Sequence, residues 1–169
     1  MANKGFSLIE ILVSIAIFSM VMVTATGALL ATIDADHKAQ ATQSVMNNLN
    51  FALESMSRVI RLGSIYHCGN TGTLTNPQDC SGDTFFAFKR NDGVTVSYKL
   101  LGTQIVRQVG SGNWLAISAP EVIVEILGFY VKGASTSGQP RVTIVIKGYV
   151  GSTSKIKTPF NLQTTISQR

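Results

Sequence analysis

Charge is scarce in this 169-residue chain: Asp, Glu, Lys and Arg make up 14% of it, against roughly 25% in soluble domains. The scarcity is concentrated near the start. Between Phe6 and Ile33 the single ionisable side chain is Glu10, and Ile11–Ile33 is a run of 23 residues without any charge. Such a run excludes an ordinary soluble N-terminal segment. As a helix rising about 1.5 Å per residue it covers about 35 Å, enough to cross a hydrocarbon core of about 30 Å.

Proline is missing from the same region. None stands before Pro77, so nothing in Phe6–Leu62 forbids one continuous helix of roughly 85 Å. Gly27 is the residue expected to soften it. Histidine is limited to His37, beside the apolar run, and His67. No GxSxG, Walker A, GxGxxG or HExxH pattern is present, so the signatures of acyl transfer, nucleotide binding and zinc hydrolysis are lacking. Glu121 and Glu125 are four apart, but they fall at an expected strand, where a solvated face explains them. The sequence therefore predicts no catalytic residues, no cofactor, no metal and no small-molecule substrate, and a protein that is not an enzyme.

What is present builds one domain behind a long leading helix, since the length leaves no room for two independent cores. Lys4 and the initial amine precede the apolar run, and Asp34 and Asp36 follow it. The positive-inside rule then keeps the N-terminus in the cytoplasm. The expectation is a single-pass inner (cytoplasmic) membrane protein with a periplasmic or extracellular C-terminal domain. From His37 onward there are thirteen Lys and Arg against six Asp and Glu. These charges are scattered along the sequence, and solubility explains them more economically than attraction to nucleic acid or anionic lipid.

The two cysteines, Cys68 and Cys80, both fall on the exported side, where a disulfide persists. A clip closing a loop of this length contributes about 3 kcal/mol in the chain-entropy model. His67, Cys68 and Cys80 are three conceivable metal ligands, but no CxxC pair or second histidine at finger spacing accompanies them. A disulfide is favoured over a metal site, with two free thiols as the remaining alternative.

After Ile33, Val45, Leu49, Ala52, Met56 and Val59 recur at spacings of four and three, joined by Met46, Leu53 and Ile60. This is the stripe of an amphipathic helix that packs on a sheet. Arg58 and Arg61 suit its last turn, and Gly63 is the expected stop. Tyr66–Gly82 reads as a loop. Thr84–Arg90, Val94–Leu101 and Gln104–Val109 read as strands, the first two joined by Asn91-Asp92-Gly93, a hairpin turn signal. Val122–Val131 and Arg141–Val150 form a second expected hairpin across Lys132–Pro140, and Phe160–Ser167 supplies a last strand. The fold class is α+β: a long N-terminal helix on an antiparallel sheet. Trp114, Phe129, Tyr130 and Phe160 are assigned to the core or the sheet surface.

The order of features at the start is not that of a secretory signal, whose small-residue cleavage site follows a short apolar region. Here Gly5 directly follows Lys4 and precedes the long run. The segment Lys4-Gly5-Phe6-Ser7-Leu8-Ile9-Glu10, continued by Ile11-Leu12-Val13, resembles the type IV prepilin leader. The resemblance implies that a membrane-embedded prepilin peptidase cuts between Gly5 and Phe6 on the cytoplasmic face and methylates the new amine of Phe6. It also implies that Glu10 meets the Phe6 amine of a neighbouring subunit, which sets the register of assembly. Independently of the family, a carboxylate one turn inside a membrane helix costs about 2.5–3.5 kcal/mol on insertion scales, so it is expected to have a partner or a function.

By this reading residues 1–5 are a cytoplasmic leader, 6–33 a transmembrane and filament-core helix and 34–62 its amphipathic continuation. Residues 63–83 are a loop with the disulfide, and 84–169 a β-sheet domain. In the body, Phe51-Ala52-Leu53-Glu54-Ser55-Met56-Ser57-Arg58 resembles the J-type minor pseudopilins of type II secretion and the W-type minor pilins of type IV pili. So do Trp114-Leu115, Pro120-Glu121-Val122 and Phe160-Asn161-Leu162-Gln163-Thr164-Thr165. The implied function is a minor pilin or pseudopilin subunit that primes or caps a filament. Its implied partners are the prepilin peptidase, other pilins, an inner-membrane assembly platform driven by a cytoplasmic ATPase, and membrane lipid before assembly. The competing functions are a filament-displayed binding module, for DNA uptake or adhesion, and a single-pass anchored enzyme or sensor whose leader is not cut.

Overall fold

The computed structural model describes residues 5–135, 138–150 and 157–169. Of the expected features, Lys4 and the rest of the leader before Gly5, and residues 136–137 of the Lys132–Pro140 connection, lie outside the described residues. The chain divides into two compact units, Met1–Gln40 and Ala41–Arg169. One helix, α1 (Leu8–Arg61), contributes to both.

Ser7 starts α1. Its carbonyl accepts the Ile11 amide at 3.3 Å and its hydroxyl oxygen accepts the Glu10 amide at 3.3 Å, as a serine does at a helix N-cap. The helix then runs unbroken through Gly27. Its apolar stretch holds five hydroxyl side chains, and each donates to a carbonyl one turn back: Ser14 to Glu10, Ser19 to Ile15, Thr24 to Met20, Thr26 to Met22 and Thr32 to Ala28, at 2.7–3.1 Å. Such bonds let polar side chains sit in hydrocarbon without an unsatisfied group.

In the second unit α1 buries Val45, Leu49, Ala52, Met56 and Ile60. This is the expected stripe, rotated slightly, so that Ile60 rather than Val59 is fully buried. Each large member of it contributes about 1.5–3 kcal/mol by leaving water. The stripe packs with nine strands: β1 (Ser64–Cys68), β2 (Cys80–Asp83), β3 (Phe85–Lys89), β4 (Thr95–Leu101), β5 (Gln104–Val109), β6 (Leu115–Ala116), β7 (Val122–Lys132), β8 (Arg141–Val150) and β9 (Thr158–Ser167). They form two antiparallel sheets rather than one. The first has the order β1-β3-β4-β5-β6 and the second β2-β7-β8-β9. The Phe86 and Phe129 rings, centroids 5.2 Å apart, join the two in the core.

Two differences from the sequence reading matter. The stretch expected as a loop contains β1 and β2. β1 carries a register shift between Ser64 and His67, and Ile65 within it has a φ of 52°, a left-handed conformation that is rare for a β-branched residue. β2 is Cys-Ser-Gly-Asp, without apolar alternation, and pairs along β7. The second difference is Gly63. Its amide does close the helix end, donating to the Ile60 carbonyl at 2.8 Å, but its φ is not left-handed. A side chain is excluded there because the Phe88 ring occupies the place of a Cβ.

Candidate processing and assembly site

Every described residue of the first unit is exposed. Phe6 is 78% exposed, and Leu8, Ile9, Ile11, Leu12, Val13, Ile15, Ile17 and Phe18 are exposed around the helix. An apolar surface on every side of one helix is the signature of a segment whose solvent is lipid or other helices. This helix is long and apolar enough to cross a membrane, consistent with a single-pass anchor.

Gly5, Phe6 and Ser7 precede the helix in an extended, exposed segment. Nothing lies within 4 Å of where a Cβ on Gly5 would stand, and its φ is not left-handed. Among the described residues nothing therefore calls for glycine at position 5. Glu10, one turn into α1, sits at the positive end of the helix dipole, where a carboxylate is favoured. Phe6 is four positions from it in sequence, and both face solvent.

The other residues singled out by the sequence fall elsewhere. Cys68 and Cys80 are joined by a disulfide, with Cα atoms 5.6 Å apart. Cys68 pairs with Phe86 in the first sheet and Cys80 with Val131 in the second. The bond thus links the two sheets, and its sulfurs are not thiolates open to a metal. His67 is buried, its Nδ1 2.9 Å from the Asn76 carbonyl oxygen, with no partner for Nε2 among the described residues. No cluster of three His, Cys, Asp or Glu able to hold a metal occurs among the described residues. Glu121 and Glu125 are exposed. Trp114 lies beneath the Lys99 ammonium, 4.1 Å from the ring centroid. Phe129 is core, Phe160 is half-buried and Tyr130 is 41% exposed.

The sequence reading missed the convergence of four cations. Lys132 pairs with Arg141 across β7 and β8, and Lys147 lies six residues further along the same face of β8. Lys157 sits on the Tyr149 ring, 3.5 Å from its centroid. None of the four forms an ion pair among the described residues. Charges scattered in sequence are therefore gathered on one face by the β7-β8-β9 ladder, a grouping that only the strand register reveals.

Residues 1–26 match the family described as the prokaryotic N-terminal methylation motif. No curated protein and no solved structure matches the chain. The match covers the leader and about three quarters of the apolar segment, and with the α+β body behind it supports a type IV prepilin-like chain.

Proposed function

From a prepilin-type N-terminus on a helix-and-sheet body, we propose that this protein is a minor pilin or pseudopilin precursor. Prepilin peptidase cuts between Gly5 and Phe6 and methylates the Phe6 amine, and the mature chain assembles with other pilins. The observation that carries this reading is the methylation motif at residues 1–26, set on a helix whose apolar side chains there are exposed. The open surroundings of Gly5 support it, because a peptidase subsite supplies the demand for glycine that the fold does not. Glu10 pairs with the Phe6 amine of a neighbouring subunit, which neutralises both charges and fixes the axial register. The role is structural rather than enzymatic. Resemblance of segments of the body to J-type and W-type subunits supports a role at initiation or at the tip of a type II secretion pseudopilus or type IV pilus.

The deciding measurement is the mass of the mature N-terminus in the cells that make the protein. A methylated Phe6 supports the reading, and a mature chain that retains Met1 overturns it. A second reading, a displayed DNA-binding module, finds support in Lys132, Arg141, Lys147 and Lys157 beside Tyr130 and Tyr149. It requires that labelled duplex DNA bind the full chain in detergent with an affinity that falls steeply with salt, and that Lys132→Ala/Arg141→Ala/Lys147→Ala abolish the binding.

A further inference from the structure

β9 differs from the other edges of the body. It runs ten residues in register with β8 from end to end, without a bulge. By contrast β6 is two residues long, and β1 and β2 each carry a register shift. Natural edges are blunted by shortness, charge, bulges or internal proline, because a regular edge offers a row of main-chain N–H and C=O groups to any extended chain. Thr158–Ser167 contains no Asp, Glu, Lys or Arg, and its one proline, Pro159, stands at the second position. Among the described residues no strand lies on the side of β9 away from β8.

The inward face beneath this edge is unfinished. The inward residues Val142, Ile144, Ile146 and Val150 of β8 are buried, whereas Phe160 and Leu162 of β9 are only half-buried. With Val45 and Met46 of α1, Val150 and Pro159 they border an apolar groove of about 210 Å³, more than the roughly 150 Å³ that accepts a benzene in an engineered cavity. The outward face carries the unpaired cations, with Arg141 and Lys147 on the strand next to β9 and Lys157 just before it.

We propose that β9 is completed by strand addition: an extended segment of another polypeptide pairs along it as a fifth strand. The incoming segment sets apolar side chains at alternate positions into the groove and acidic side chains at the intervening positions toward Arg141, Lys147 and Lys157. The period of two along a strand makes those two demands compatible. Main-chain bonds supply affinity and the groove supplies register. An added strand lies about 10 Å from β8, close to the screening length of about 8 Å at physiological salt, and the long side chains of Arg141 and Lys147 shorten that gap.

A second copy of this chain does not fit. Pairing β9 with itself about a two-fold would bring together two bodies that each have twelve cations against six carboxylates, with no carboxylate in β9 itself to meet Arg141, Lys147 and Lys157. The inference concerns the body and stands whether or not the leader is cut.

The test is site-specific photocrosslinking in the cells that make the protein. Benzoylphenylalanine replaces Asn161, Gln163 or Thr165, one at a time, in the full chain, and each crosslinked residue is mapped by mass spectrometry. The three positions are expected to join one segment of one partner at residues advancing in steps of two. Leu162→Lys, which places a charge in the groove, should lower the yield about tenfold, with the Cys68–Cys80 disulfide still formed. Lys147→Glu, at an exposed site remote from the core, should lower it severalfold. The proposal is overturned by absence of crosslinks at all three positions, or by crosslinks to helices, nucleic acid or β9 of a second copy. Yields unchanged in both variants overturn it equally.

Discussion

The Tyr66 hydroxyl donates to the Ile60 carbonyl at 2.6 Å, and the Gly63 carbonyl lies 3.1 Å from the same oxygen. The last turn of α1, whose carbonyls have no intrahelical partner, is thus closed from β1. The chain end assists: the Gln168 side-chain amide donates to the Gly63 carbonyl at 2.9 Å and the Arg169 amide to the Arg61 carbonyl at 3.0 Å. Removing only the hydroxyl, in Tyr66→Phe, takes one of two donors from each carbonyl, leaving the Gly63 amide on Ile60 and the Gln168 side chain on Gly63. It should cost about 0.5–1.5 kcal/mol in a urea titration of the full chain in detergent. A loss below about 0.3 kcal/mol would mean that water or the tail replaces the hydroxyl.

Burial also pushes the Tyr66 phenol up to about 12 from its ordinary value of 10.0. Tyr98 moves the same way by burial, opposed by the Arg107 charge. A phenol raised in the folded state contributes stability that is fully present below the unfolded value. That contribution is lost as pH climbs from about 10 toward 12. The Tyr66 share of the loss is about 2–3 kcal/mol. Stability measured across this window should fall less steeply in Tyr66→Phe than in the parent chain. Parallel curves would show that Tyr66 does not titrate with unfolding.

The Cys68–Cys80 bond clips a loop and also ties β1 of one sheet to β2 of the other. Cys68→Ser/Cys80→Ser should lose about 3 kcal/mol by the chain-entropy estimate, read as a lower urea midpoint, and dithiothreitol should reproduce the shift in the parent chain alone. Because both strands lie at sheet edges, hydrogen exchange in residues 64–83 should rise more than in β8. Uniform exchange across the body would argue against a local role for the bond.

How far the sequence reaches depends on whether its signals are local. The charge-free run, the missing proline and the Lys4–Glu10 segment are contiguous, so α1, its apolar character and the candidate processing residues are legible. β4 and β8 read correctly because apolar and polar residues largely alternate along them, and β5 because it is a short β-prone segment between turns. β1 and β2 are not legible: one contains an isoleucine forced to a positive φ, and the other is held by its partner strand and the disulfide rather than by its own pattern. The division into two sheets and the gathering of Lys132, Arg141, Lys147 and Lys157 depend on register between strands, which composition does not encode.

Glycines separate by what surrounds them. A Cβ on Gly148 in β8 would collide with the Ile123 carbonyl oxygen and approach the Phe160 ring at 2.9 Å. The carbonyl is backbone and has little room to move. Gly148→Ala should therefore cost about 1–3 kcal/mol, as overpacking does. Gly27, with nothing within 4 Å of its Cβ position, predicts the reverse: Gly27→Ala should raise helix stability by about 1 kcal/mol. Thermal melts of the two variants in one detergent would show the opposite signs, and a Gly148→Ala melt matching the parent would refute the close approach.

The role proposed for Glu10 predicts that its loss spares anchoring and weakens assembly. In lipid its carboxylate is a cost of about 2.5–3.5 kcal/mol on insertion scales, so Glu10→Gln should insert at least as well as the parent and leave the membrane-bound pool intact. In the proposed function the cut lies between Gly5 and Phe6, before Glu10, so the variant is expected still to carry a methylated Phe6. Assembly is where the loss belongs, because the neighbouring Phe6 amine would then be buried without a counter-charge, and breaking such a pair costs about 3–5 kcal/mol. That corresponds to a drop of two or more orders of magnitude in filament incorporation relative to the membrane pool. The amounts in sheared filaments and in membranes, compared by immunoblot for the parent and Glu10→Gln, measure it. Equal incorporation would remove Glu10 from the assembly step and leave its carboxylate to the helix dipole alone.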